Sequence, residues 1–168
     1  MSELKLPHGP VRFNQIGYVV RDLEAAVRAY ADRLGIGSWH LYTYGTPLLK
    51  YMTYRGRPQA YRMRLAFAQC GDLQLELIQP LEGPNIYEEF LERHGEGIHH
   101  LGVVVPDLAE GVRAMEHQGY VLIQSGGGHG KQGDGGFAYF ETESPFATVL
   151  ELIERPKERV PPEAVYPP

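Results

Sequence analysis

Two stretches of the chain, QIGYVVRDLEAAVRA at residues 15–29 and HLGVVVPDLAEGVRA at residues 100–114, are versions of one pattern. Gly17/Gly102, Val19/Val104, Val20/Val105, Asp22/Asp107, Leu23/Leu108, Val27/Val112, Arg28/Arg113 and Ala29/Ala114 give eight identities over fifteen positions. Further on, LELI occurs at 75–78 and again at 150–153. Self-similarity on this scale means that one supersecondary unit is used twice.

Each unit reads as an opening strand, over Phe13–Val20 and Ile98–Val105, followed by a helix. Asp22 and Asp107 stand at the N-cap positions, where a carboxylate accepts from free backbone N–H groups. Leu23, Ala26, Val27, Tyr30 and Leu34 then recur at helical spacing up to Gly35, and Leu108, Val112 and Met115 do so up to Gly119. More strands follow in each unit and end in the LELI pair. Asn85-Ile86-Tyr87-Glu88 has capping-box spacing and predicts a short helix to His94. The expected organisation is an N-terminal extension (1–11) and one α+β domain (12–155), closed by a proline-rich tail (156–168). Within the domain, two βαβββ modules (12–81 and 97–155) flank a linker helix (85–94). Neither module alone is large enough to cover its own helix and sheet.

The bulk numbers exclude several functions. With 168 residues, 43% of them hydrophobic, the chain supports one core. A net charge of -5, with scattered Lys and Arg, argues against nucleic acid and against an anionic membrane surface as partners. The N-terminal MSELKLPHGP lacks the order of a signal peptide, and no 18-residue apolar run is present, so a cytoplasmic protein is expected. Cys70 is the single cysteine, which rules out an intrachain disulfide or a cysteine metal cluster.

The repeat also sorts the chemistry. Superposing the units puts Gln15 on His100 and Glu76 on Glu151, so residues with metal-ligand atoms occupy two equivalent positions twice over. In LELI the leucines share one strand face and the glutamate takes the other. If the leucines cover the helices, both glutamates face the inner side of the sheet, where a sheltered carboxylate needs a cation or a donor. His100 shares a face with Gly102 and Val104; His99 points the other way and reads as a structural, hydrogen-bonded histidine. The glycines beside the ligand positions are expected to leave room for a bound molecule. Gln15, Glu76, His100 and Glu151 together offer three oxygens and one imidazole nitrogen, a set suited to one divalent cation such as Zn, Ni, Co, Mn or Fe.

At these residues the sequence resembles the vicinal oxygen chelate superfamily, which includes glyoxalase I, methylmalonyl-CoA epimerase, extradiol dioxygenases and bleomycin-resistance proteins. GIHHLGVVVPDL (97–108) and LELIQPLEG (75–83) are most similar to the epimerase and related glyoxalase-like proteins. The resemblance implies paired βαβββ modules in a curled mixed sheet around a metal held at the four positions named above. It also implies a homodimer. The implied activity is that of a metal-dependent isomerase or lyase on a small carbonyl or thioester substrate, through a stabilised enolate or enediolate. Glu151 matches the position of the glyoxalase base, with Glu76 as the second catalytic carboxylate. Gln15 stands where the epimerases usually carry histidine, and the Gln, Glu, His, Glu set resembles one class of glyoxalase I. Arginines on YRMRLAFAQ (61–69) stand where the epimerase's extra glutamate base is expected. The alternative is a metal-free binding or resistance protein on the same fold. A non-haem iron ring-cleaving dioxygenase is disfavoured, because its site needs two histidines and one carboxylate.

Residues 38–67 are rich in aromatics and arginine, which reads either as a pocket wall or as ordinary strand and dimer-interface surface. SGGGHGKQGDGG (125–136) lacks the glycine and Ser/Thr positions of a P-loop and reads as a flexible hairpin loop, with His129 or Lys131 within reach of a site. His8, His40, His94 and His117 are expected at the surface.

Overall fold

The computed structural model describes residues 4–167. The first module comprises β1 (Gln15–Val19), α1 (Leu23–Leu34), β2 (Trp39–Tyr44), β3 (Tyr51–Tyr54), β4 (Arg57–Pro58), β5 (Arg62–Cys70) and β6 (Leu73–Glu82). After α2 (Ile86–His94) the second comprises β7 (Gly97–Val104), α3 (Leu108–His117), β8 (Leu122–His129), β9 (Gly135–Phe140), the short α4 (Glu143–Phe146) and β10 (Val149–Glu154). A last strand, β11 (Ala164–Tyr166), follows.

The caps form where the repeat puts them. Asp22 accepts from the Ala25 N–H at 3.0 Å and Asp107 from the Glu110 N–H at 2.7 Å. Asn85 caps α2 by accepting from Tyr87 and Glu88. Gly35 ends α1 in the left-handed conformation (φ 67°) that a Cβ would penalise.

Among the described residues, eleven strands make one mixed, curled sheet in the order β11-β2-β5-β6-β1-β7-β10-β9-β8-β3-β4. The repeat is visible in its middle. β1 runs parallel to β6, β7 parallel to β10, and β1 pairs antiparallel with β7, so two copies of one four-strand unit meet along β1 and β7. Leu75 and Leu77 bury beneath α1, and Leu152 beneath α3. Ile78 and Val149, on the opposite faces of the same strands, join Tyr42, Met63, Phe67, Tyr87 and Tyr139 in the core inside the curl. Glu76 and Glu151 share that inner face by alternation.

Two segments depart from the repeat. β3 and β4 belong to the first module in sequence but cross the curl and extend the second module at β8. The glycine-rich stretch is the track on which that crossing packs: a Cβ on Gly127 would stand 2.2 Å from the Tyr51 hydroxyl, and one on Gly126 would stand 2.5 Å from the Phe137 ring. Only 130–134 form a loop; the rest of 125–136 is strand. The proline-containing segment after Arg155 passes from β10 across to β2, where it ends as β11.

No helix among the described residues is long and apolar enough to cross a membrane. His8, His40, His94 and His117 are exposed.

Candidate metal centre

The pairing registers bring the four ligand candidates together. Across β6, β1 and β7 one row reads Glu76, Gly17, His100; across β10, β7 and β1 the equivalent row reads Glu151, Gly102, Gln15. In each row a glycine stands between two polar side chains. A Cβ on Gly17 would sit 1.9 Å from His100 Cε1, and one on Gly102 would sit 2.8 Å from Gln15 Oε1. This corrects the expectation that the glycines leave room for a bound molecule. They make room for the ligand side chains themselves: the His100 ring lies over Gly17 and the Gln15 side chain over Gly102.

All four side chains are buried, with relative exposures of 3% for Gln15, 5% for Glu76, 0% for His100 and 3% for Glu151. The Oε2 atoms of Glu76 and Glu151 lie 3.1 and 3.2 Å from His100 Nε2, close enough for ion pairing but not aligned as hydrogen bonds. One ligand atom from each of these three residues can be chosen so that all lie within 4.8 Å of one another. Among the described residues, six buried side-chain polar atoms lack a hydrogen-bond partner. Four of them are Gln15 Oε1, Glu76 Oε2, His100 Nε2 and Glu151 Oε2. Orphaned buried polar atoms are rare and costly, and here they concentrate on the donor set of a cation. The residues present therefore fit a divalent metal: two carboxylates balance its charge, while an imidazole and an amide oxygen complete a hard-to-borderline ligand set.

The other ends of these side chains are anchored. Gln15 Nε2 donates to Gln74 Oε1 at 3.1 Å, which occupies the amide nitrogen and leaves its oxygen unpartnered. His100 Nδ1 lies 3.0 Å from His99 Nδ1. The β1–β7 ladder is irregular between Gly17 and Tyr18, which pair with His100 and Ile98, so His99 falls at a bulge. There its ring packs among Tyr87, Phe90 and Tyr139 and reaches its neighbour's Nδ1. His99 does not supply a second imidazole to the centre, consistent with the one-histidine, two-carboxylate set.

Electrostatics follow from burial and crowding. Burial disfavours the His100 imidazolium, but Glu151 and Glu76 outweigh it and lift its pKa to about 9. Burial, with Glu151 adding to it, raises the Glu76 carboxyl above its ordinary range, partly offset by His100. His99 is held well below its usual value by burial, then by His100 and His94. A neutral His99 can accept the His100 Nδ1 proton, leaving Nε2 to face the two carboxylates.

The residues bordering the chamber come from further afield than the repeat suggests. Tyr44, Phe67 and His129 line it, and so do Arg155 and Arg159 from the C-terminal segment. Burial, then the charge of Arg159, lowers the His129 pKa to about 4. Of the arginines in 38–67, Arg55, Arg62 and Arg64 pair with Glu89, Glu82 and Glu24 outside the chamber. Lys131 pairs with Glu158. Sequence reading passed over Arg155 and Arg159 because they lie beyond the repeat, in a segment whose prolines read as linker. Gln74 was passed over for the same kind of reason: its counterpart across the modules, at the position pairing with His100, is Val149.

Two fused βαβββ modules wrapping one polar chamber define a fold class in which module pairing builds the site. The chain belongs to the glyoxalase/bleomycin resistance protein/dioxygenase superfamily, whose family model matches residues 14–140. A Bacillus subtilis protein, the uncharacterized YqjC, is 27% identical over 146 residues, covering 85% of this chain and 91% of its own. Among solved structures, methylmalonyl-CoA epimerase from Mycobacterium tuberculosis aligns with a TM-score of 0.62 and 23% identity, covering 89% of this chain and 88% of that one. A Streptomyces coelicolor methylmalonyl-CoA epimerase variant in complex with 2-nitronate-propionyl-CoA aligns with a TM-score of 0.62 and 18% identity, covering 90% and 99%. At these identities the likeness shows the fold.

Proposed function

We propose that this protein is a metal-dependent isomerase or lyase of the glyoxalase/epimerase type, moving a proton next to the carbonyl of a small carbonyl or thioester compound. The observation that carries it is the set of four buried, unpartnered ligand atoms on Gln15, Glu76, His100 and Glu151: Gln15, Glu76 and Glu151 line one chamber, and His100 Nε2 lies 3.1 and 3.2 Å from the two glutamates. A thioester stands among the substrates because the structural neighbours include an epimerase in complex with methylmalonyl-CoA. When bound, a divalent cation here supplies a Lewis acid that draws negative charge onto the substrate's oxygens.

The chain's own residues do the rest. Glu151 takes the proton from the carbon next to the carbonyl and returns it, while Glu76 on the opposite module is the second carboxylate able to hold it. The Glu76 carboxyl, raised by burial and by the charge of Glu151, is the stronger base for being out of water. Gln15, oriented by Gln74, adds a neutral oxygen donor that leaves the charge count unchanged. His99 keeps the His100 ring oriented through the Nδ1 contact.

Elemental analysis of protein purified without a histidine tag tests this reading. About one equivalent of a divalent metal per chain is expected, as the single donor set requires. A protein that neither retains nor responds to any divalent metal overturns it. One observation favours a second reading, a metal-free binding protein on the same fold: an imidazolium raised to about 9 between two carboxylates is a partly self-balanced cluster. In that case a ligand binds equally well in the presence of a chelator.

A further inference from the structure

The segment that leaves β10 lies across the chamber as a strap held at both ends. On one side Lys131 N donates to the Glu158 carbonyl at 2.9 Å and Lys157 N donates to Asp134 Oδ2 at 3.2 Å. On the other, Glu163 N donates to the Leu41 carbonyl at 2.9 Å, and the Glu163 carboxylate accepts from Thr43 N and Thr43 Oγ1 at 2.9 and 3.0 Å. Beyond them β11 pairs with β2, and the Tyr166 hydroxyl donates to the Asp32 carboxylate at 3.2 Å.

Arg159 sits in mid-span. Its guanidinium lies over the Phe67 ring, with Cζ 4.8 Å from the ring centroid. Phe67 is the cross-strand partner of Glu76, so the cation is parked one residue from the ligand set. Arg159 lines the metal chamber, and it also lines an outer pocket of about 220 Å³ with Ser38, His40, Gln69 and Gln74. The inner chamber itself is about 30 Å³, the room of about one water. Arg159, with Phe67 and Gln74, therefore borders both. Arg55, Arg62, Arg64 and Arg93 all lie within ion-pair distance of a glutamate, whereas among the described residues the two chamber arginines, the exposed Arg155 and the half-buried Arg159, have no ion pair, and of these Arg159 is the one stacked on an aromatic ring. A half-buried guanidinium stacked on an aromatic and lacking a carboxylate is a pre-oriented fork for a planar anion. The fork presents parallel N–H donors that match the two oxygens of a carboxylate.

We propose that Arg159 is the anion-recognition residue of this site, taking the carboxylate of a small substrate that lies in the outer pocket with its carbonyl oxygen reaching toward Gln15, Glu76, His100 and Glu151. The assignment rests on the metal-centre reading above. It narrows the substrate class to carbonyl compounds that carry a carboxylate within a few bonds of the reacting carbon. The strap, by its anchoring, fixes where that carboxylate lies.

The test uses full-length protein loaded with Co2+, whose visible spectrum reports the ligand shell, and two chelating probes. Acetohydroxamate has no carboxylate; N-hydroxysuccinamate carries the same chelating group with a carboxylate added. Wild type is expected to bind N-hydroxysuccinamate at least about tenfold more tightly, equivalent to about 1.4 kcal/mol. Arg159→Gln is expected to abolish that preference while leaving Co2+ affinity and acetohydroxamate binding unchanged. Arg159→Lys, which keeps the charge but loses the fork, restores only part of it. Equal affinity of wild type for the two probes, equal weakening of both in Arg159→Gln, or no binding of either probe to the Co2+ form overturns the proposal. Failure to take up Co2+ at all overturns the metal-centre reading instead. Titration of succinate then decides for Arg159: binding to wild type but not to Arg159→Gln upholds it, and equal or absent binding overturns it.

Discussion

The two modules share a backbone plan but differ in the single residue that decides their chemistry. Each has a capping aspartate, a glycine on its opening strand and a glutamate on its last strand, and across the β1–β7 seam the rows Glu76, Gly17, His100 and Glu151, Gly102, Gln15 are equivalent. The second module places an imidazole where the first places an amide. His100 Nε2 therefore sits between both glutamates, whereas Gln15 is tied by its nitrogen to Gln74. Duplication supplies two of everything; the Gln/His difference sets how the four donors share charge. The difference between the modules is tested by substitutions at positions that match in the repeat but differ in what surrounds them, set against positions that match in both.

The largest difference is expected between the two glutamates. Glu151→Gln should lower the rate of deuterium exchange from D2O into a carbonyl substrate by about 10²–10⁴-fold, the range for loss of a positioned base, with the metal retained. Glu76→Gln should cost less turnover and more metal. Equal losses of both kinds would mean that the modules are interchangeable in catalysis.

The asymmetric pair comes next. His100→Gln makes both modules carry amides and should lower metal affinity, read by competitive chelator titration, by more than about 10–100-fold, the cost of losing even an outer partner of a ligand. Gln15→His should raise it, because imidazole is a better ligand than a neutral amide. An unchanged affinity in His100→Gln would remove His100 from the centre.

The glycines separate by geometry. Gly17→Ala drives a methyl to 1.9 Å from the His100 ring, while Gly102→Ala meets Gln15 at 2.8 Å. Overpacking costs about 1–3 kcal/mol, and Gly17→Ala should fall at or above the top of that range and Gly102→Ala nearer the bottom, by thermal denaturation.

Proton competition is a smaller, graded effect. His100 must lose a proton to bind metal, so with its pKa near 9 the apparent metal affinity should fall by about tenfold for each pH unit below that value. The metal-free fold should respond in the opposite direction. The His100 pKa is raised from 6.5 to about 9, so its contribution to stability is complete below pH 6.5 and is lost as pH rises through about 9. Glu76, also raised in the fold, acts in the same direction from its ordinary value of 4.5 upward. A melting temperature of the metal-free protein that rises between pH 6.5 and 9 would contradict this.

The helix caps should show the smallest effects, and equal ones. Asp22→Ala and Asp107→Ala remove matching N-cap bonds and should each cost about 1 kcal/mol in denaturant titration.

The modular plan was legible in the chain before any folding was considered. Hydrophobic period, capping aspartates and the LELI pair are local properties of the chain, and a repeat states twice where the strands and helices lie. It also selected Gln15, Glu76, His100 and Glu151, because strand alternation and superposition of the units are enough to put them on equivalent faces. What the sequence did not carry depends on contacts between distant segments. The reach of β3 and β4 across to β8, the bulge that turns His99 onto His100, and the return of the C-terminal strap onto β2 have no local periodicity to announce them. The same holds for the glycines: in sequence Gly17 is one small residue, and only the β1–β7 register puts the His100 ring over it. Arg159 is the extreme case, a single arginine in a proline-rich tail until the tertiary structure lays that tail over the chamber. Pattern follows from the chain's local energetics, whereas enclosure follows from which segments pack against one another, and that is decided only when the curled sheet is complete.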